Sequence, residues 1–181
     1  MNHSLVEKII KNCSARQTKW DDTTLFQEKY AAKVYARDTL LNHLKVGSRI
    51  LDIGGEEFYA ELFQQHYVLD TLNLPDDMHD LDVQGQYDAV IAMHVLEHSP
   101  FPLLVLSLIQ QALRPSGYLY VALPTHTTNA FNEINQHFTV MPAKVWKRLF
   151  KEAGFAIVFH DLGKFGDSVD WVEERFLCQR N

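Results

Sequence analysis

With 181 residues, 46% of them hydrophobic and 22% charged, the chain has the composition of one ordinary globular core and needs no second domain. Its net charge of -6 and pI near 5.8 carry no electrostatic footprint for a long polyanion, so nucleic acid is not an expected partner. Cys13 and Cys178 are the only cysteines and have no CxxC partner, which excludes a disulfide framework or a cysteine metal site and fits reduced thiols in the cytoplasm.

The opening stretch carries mixed charges rather than a basic head and an apolar core, so it does not read as a signal peptide, and no apolar run approaches the roughly 20 residues of a membrane span. Residues 4–45 are predicted helical, with Leu5, Ile9 and Ile10 on one face and Asp21, Asp22 and Thr23 as caps of a longer helix that Gly47 halts. They would form a helical cap on a core spanning 46–181. The apolar run Arg49 to Ile53 then ends at Gly54-Gly55 and is followed by a helical stretch, Phe58 to Gln65, which is the opening of a βαβ unit. Tyr67 to Asp70, Ala89 to Met93 and Tyr118 to Leu123 are the next predicted strands, and a helix from Leu103 to Leu113 joins the last two. A helix from Ala143 to Ala153, a strand from Phe155 to His160 and a strand from Val172 to Arg180 close the chain, the two strands near enough to form a hairpin. Alternating strands and helices imply an α/β fold with a mainly parallel sheet covered on both faces.

Five short motifs give this pattern a more specific meaning. Leu51-Asp52-Ile53-Gly54-Gly55 stands at the end of the first strand, Asp70 at the end of the second, and Asp76-Asp77-Met78-His79-Asp80-Leu81 beyond it. Met93-His94-Val95-Leu96-Glu97-His98 follows the Tyr87-Asp88-Ala89-Val90-Ile91 strand entry, and Arg114-Pro115-Ser116-Gly117 precedes the next strand. Together they resemble the D-x-G-x-G-x-G loop, the ribose-binding acid, the G-D-x-x-x-L segment, the vLEH corner and the K-P-G-G turn of class I S-adenosylmethionine-dependent methyltransferases. The glycine loop departs from the family pattern: Glu56 and Phe58 occupy its second and third glycine positions.

The resemblance implies a Rossmann-like doubly wound sheet of seven strands in the order 3-2-1-4-5-7-6, with a C-terminal antiparallel hairpin. The short stretch from Gly54 to Asp88 leaves room only for an abbreviated region around strand 3. It further implies S-adenosylmethionine as cofactor, held by Asp52, Gly54, Gly55 and Glu56 at its amino-acid end, by Asp70 and Thr71 at the ribose, by Asp77 and Met78 at the adenine, and by Met93 and His94. Asp76 competes with Asp77 for the adenine contact. Asn135-Gln136-His137-Phe138-Thr139 resembles an N-H-[FY]-[ST] segment of small relatives, which makes His137 the candidate catalytic base. No second histidine or carboxylate lies at helix-face spacing from it or from His126, so no metal site is expected. Trp146, Leu149 and Phe150 lie at helical spacing and are expected in the core, and Trp20 and Tyr30 are candidates for a lid.

The implied activity is methyl transfer to an oxygen or nitrogen of a small molecule or modified polymer in the cytoplasm. The absence of an N-P-P-Y tetrapeptide after the Ala89 to Met93 strand counts against adenine-N6 or glutamine methylation. A methyltransferase-like binding or scaffold protein without turnover is the alternative, on account of the eroded loop.

Overall fold

A computed structural model describes residues 23–55, 57–72, 78–125, 137–164 and 172–181. Ten main elements follow in chain order: α1 (Thr23–Leu41), β1 (Arg49–Ile53), α2 (Glu57–Gln64), β2 (Val68–Leu72), β3 (Tyr87–Met93), α3 (Pro102–Ala112), β4 (Leu113–Pro124), α4 (Ala143–Glu152), β5 (Phe155–Lys164) and β6 (Val172–Arg180). Single 3-10 turns lie at Met78–Asp80 and Leu96–His98. The expected helix over residues 4–22, together with Trp20, Glu56, Asp76, Asp77, His126 and Trp171, lies outside the described residues.

Six strands form one sheet in the order β2-β1-β3-β4-β6-β5. The pairs β1–β2, β1–β3 and β3–β4 are parallel, and β6 runs antiparallel to both β4 and β5. This is the implied seven-stranded order with its third strand missing among the described residues, and β2 becomes the edge. The chain between β2 and β3 contributes a 3-10 turn and irregular backbone there instead, as its shortness foretold.

Both faces of the sheet are covered because the strand side chains alternate between two apolar clusters. On one face Ile50, Ala89, Ile91, Tyr120 and Leu177 meet Ala32, Ala36 and Leu40 of α1 and Tyr59, Leu62 and Phe63 of α2. The i, i+4 alanines let α1 lie close to the strands. On the other face Leu51, Ile53, Val90, Leu119, Val121 and Phe176 meet Val105, Leu106 and Ile109 of α3 and Trp146 and Phe150 of α4. Trp146 and Phe150 are fully buried, as their spacing predicts, and the Phe150 and Phe176 rings lie 5.0 Å apart, centroid to centroid. Strand β3 is the most enclosed, and its unbroken apolar run is what a central parallel strand requires.

Two expectations need correcting. Asp70 does not close β2, which runs on to Leu72. Asp70 is level with Leu51 of β1, in the middle of the strand. The Arg114-Pro115-Ser116-Gly117 turn is not a separate connection but an irregularity inside β4, where the register with β3 jumps between Tyr87 and Ala89. Ser116 takes the left-handed conformation there, with φ of 62°. A glycine would hold that conformation without strain, which accounts for glycine at this place in the resembling pattern.

Candidate active site

In parallel strands all carboxyl ends emerge on one edge, the edge where open α/β sheets receive ligands. Here that edge gathers Gly54-Gly55 after β1, Met93-His94 after β3 and Pro124-Thr125 after β4. Because β6 is antiparallel, its start joins them: Glu173 stands opposite Pro124.

The corner after β1 is tightly constructed. Gly54 has φ of 71°, its amide donates to the Leu72 carbonyl at 2.8 Å, and an added Cβ would lie 2.7 Å from Val95 Cγ2. A Cβ on Gly55 would lie 2.6 Å from Asp52 Cγ. The two adjacent glycines are therefore required by the turn, the first for its backbone and the second for the buried carboxylate beneath it. Gly54→Ala is expected to lower stability by about 1–2 kcal/mol from the left-handed backbone alone, measurable by urea unfolding.

Asp52 itself is almost completely buried and is held by a residue that sequence reasoning missed. Lys33 of α1 donates to both Asp52 carboxylate oxygens, at 3.0 and 2.7 Å. Its signal in the sequence was slight: a lysine flanking the Ala32/Ala36 stripe, at the margin of the face that the helix buries. Asp70 is engaged elsewhere. Arg49 donates to its Oδ2 from Nε at 2.8 Å, approaches the same oxygen with a second nitrogen at 2.7 Å, and lies over the Tyr87 ring at 5.2 Å. This pair faces the α3 side of the sheet, away from Asp52. Thr71 is exposed on the edge strand, and Met78 packs partly buried against the α3-side core.

Beyond β3 a chain of alternating charges crosses the edge. His94, at φ of 53°, has Nε2 2.8 Å from Glu173 Oε2 and Nδ1 3.4 Å from Glu97 Oε1. Glu173 Oε1 in turn accepts from Arg175 Nε at 2.5 Å, and the Arg175 guanidinium lies over the Tyr35 ring at 4.2 Å. Burial disfavours the charged imidazole of His94, yet the two carboxylates outweigh it and raise its pKa to about 9. The same contact holds Glu97 below the usual carboxylate range against its own burial. Glu173 was not foreseen; a glutamate pair entering a strand was the only hint.

His137 is folded back onto the same corner. The amides of Phe138 and Thr139 donate to the Glu97 carbonyl at 2.7 and 3.1 Å, and Thr139 Oγ1 lies 3.0 and 3.1 Å from the Leu96 and Ser99 carbonyls. This places the His137 ring 4.8 Å from that of His98, centroid to centroid and edge-on. Burial lowers the His137 pKa, so the imidazole is neutral near pH 7 and can accept a proton. No carboxylate or second histidine stands at helix-face spacing from His137 in the sequence, but folding brings distant ones to it: ligand atoms of Glu97, His98 and His137 all lie within 4.8 Å of one another.

The pattern of a methyltransferase domain matches residues 25–160 of the chain, which takes in α1, the glycine corner, the His94–His98 turn and His137. The chain belongs to the methyltransferase-domain family. Among curated proteins, the ubiquinone biosynthesis O-methyltransferase of Shewanella pealeana is 28% identical over 90 residues. That match spans 50% of this chain and 36% of the relative, so the chain covers little more than a third of its length. Among solved structures, the 1,6-didemethyltoxoflavin-N1-methyltransferase of Burkholderia thailandensis, bound to 1,6-didemethyltoxoflavin and S-adenosylhomocysteine, superposes with a TM-score of 0.69 at 12% identity. It covers 100% of this chain and 91% of that one. Phosphoethanolamine N-methyltransferase 2 of Haemonchus contortus, bound to S-adenosyl-L-methionine, gives a TM-score of 0.66 at 13% identity, over 91% and 58% of the two chains. At these identities the structural likenesses establish the fold of this methyltransferase domain.

Proposed function

We propose that the protein is an S-adenosylmethionine-dependent methyltransferase acting on an oxygen or nitrogen of a small molecule or modified polymer. The observation that carries this reading is the Gly54-Gly55 corner. Gly54, exposed and without a side chain, stands on the carboxyl edge between the ends of β2 and β3, where a cofactor can approach the backbone closely. Met93 ends the neighbouring strand β3 and His94 follows it, Thr71 lies in β2 level with Asp52, and Met78 keeps the adenine-side role that the resemblance implies. The buried Lys33–Asp52 pair fixes the corner from below. Glu56 and Asp77 keep the roles that the resemblance implies, at the amino group and the adenine. Asp70 is not retained as the ribose acceptor, because its carboxylate is taken by Arg49 in mid-strand.

S-adenosylmethionine, when bound, supplies a methyl group on a positively charged sulfur. The protein's own share is to align an acceptor with it and to take up a proton where the acceptor carries one. His137 is our candidate for the second task, its imidazole kept neutral near pH 7 by burial beside the His94–His98 turn.

Thermal unfolding with and without S-adenosylhomocysteine tests the cofactor assignment. At a hundredfold excess over the dissociation constant, linkage supplies about 2.7 kcal/mol, which for a chain of this size raises the Tm by roughly 5–10 °C. A folded protein whose Tm does not move at saturating ligand would remove the cofactor from the account.

A further inference from the structure

Glu97 is fully buried, and among the described residues neither of its carboxylate oxygens has a hydrogen-bond donor. Such a group costs several kcal/mol unless something positive satisfies it. The contact with His94 is a charge contact at 3.4 Å, and the short hydrogen bond of that imidazole goes to Glu173 instead. On its remaining side Glu97 faces two more imidazoles, His98 on the same 3-10 turn and His137 from the loop before α4. His137 Nδ1 is also buried without a hydrogen-bond partner. A buried carboxylate without a hydrogen bond, paired only in charge with His94, and a buried ring nitrogen without a partner converge with a second histidine and compose a ligand set rather than a packing accident.

We infer that Glu97, His98 and His137 form a binding site for a first-row divalent transition metal ion. Two nitrogen donors and one carboxylate suit zinc, cobalt, iron or manganese; magnesium prefers oxygen ligands throughout. Metal bonds of about 2.0–2.2 Å set tetrahedral ligand atoms about 3.3–3.6 Å apart. The separations here lie within 4.8 Å, and reaching that spacing requires the two histidine side chains to turn toward the ion. His94 supports the carboxylate from behind, the part that outer partners of metal ligands play. Three protein ligands leave at least one position open to water or to another oxygen ligand, on the edge of the sheet that also carries Met93 and His94. With Nδ1 of His137 on a metal, that histidine orients the ion, and the base role proposed for it above belongs to the ion-free protein alone. The site depends only on these three residues, whatever occupies the glycine corner.

The experiment is titration of metal-stripped protein with Co2+, followed by visible d–d absorption, and with Zn2+, followed by calorimetry, with no cofactor or acceptor present. The expected result is one ion per chain and a cobalt spectrum of low-coordinate nitrogen and oxygen ligation. Removal of a true ligand exceeds the roughly 10–100-fold loss typical of outer partners, so His137→Ala and Glu97→Gln should each weaken binding by more than about a hundredfold. His137 is on a surface loop, so its variant keeps the inference testable if Glu97→Gln fails to fold. His160→Ala, which removes a histidine paired with Glu174 on another part of the sheet, should leave the affinity unchanged. Failure of the wild-type protein to bind either ion, or retention of wild-type affinity by His137→Ala, would overturn the site.

Discussion

Replacing Glu173 by alanine is expected to lower the free energy of unfolding by about 3–5 kcal/mol, the usual cost of removing one member from a buried ionic network. Glu173 is 1% exposed and holds two cations at once, the His94 imidazole at 2.8 Å and the Arg175 guanidinium at 2.5 Å. Without it His94 can shed its proton, but Arg175 cannot. The guanidinium would keep its bond to the Lys164 carbonyl and its place over Tyr35 while losing its counter-charge. Urea unfolding of the alanine and glutamine variants separates charge from packing. The glutamine variant retains the shape and an acceptor for Arg175 but not the charge, so it should show most of the alanine variant's loss if the missing counter-charge is the cause. Equal losses in the two variants would mean that charge is the whole effect, and a loss below about 1 kcal/mol in the alanine variant would mean that the network is not stabilising.

Lys33→Met is expected to have an effect of the same size, about 3–5 kcal/mol, for a complementary reason. Methionine fills much of the lysine stem's volume beside Ala32 and Ala36 but supplies no charge, so Asp52 is left buried without its cation. Adding Asp52→Asn should recover a good part of the loss, since the penalty belongs to the buried carboxylate deprived of its lysine and not to the missing lysine itself. A double-mutant cycle reads this coupling directly. Independent, additive effects of the two substitutions would show that the pair does not act as a unit. The result bears on function as well as stability, because this pair ties α1 to the glycine corner.

The strands and the covering of both faces were legible in the sequence because they follow from local patterning, whereas the order of the sheet came from the resemblance to class I methyltransferases. Apolar runs ended at glycine or proline, helices alternated with them, and the chain between Gly54 and Asp88 was too short for a full strand and helix. The third-strand gap and the C-terminal hairpin follow from the same signals. Asp70 was misplaced because the strand continues through Thr71-Leu72, and nothing in a short run of mixed polarity fixes its last residue. Lys33, Glu173 and the meeting of Glu97 with His137 were hidden for a different reason. Each arises between elements far apart in the chain, and only the closing of the sheet brings α1, β6 and the loop before α4 to the same edge. Sequence spacing reports metal ligands when they share a helix face; it is silent when one donor arrives from a distant loop.

The central claim is that S-adenosylhomocysteine binds on the carboxyl edge at the glycine corner. Backbone amide NMR of the labelled protein during titration with S-adenosylhomocysteine tests it at the residue level. The account predicts saturable shifts centred on Gly54, Gly55, Thr71, Met93 and His94, with little change at distant amides such as those at the α4–β5 junction around Gly154. Binding whose shifts leave Gly54, Gly55 and Met93 unmoved, or no saturable shifts at all, would contradict it.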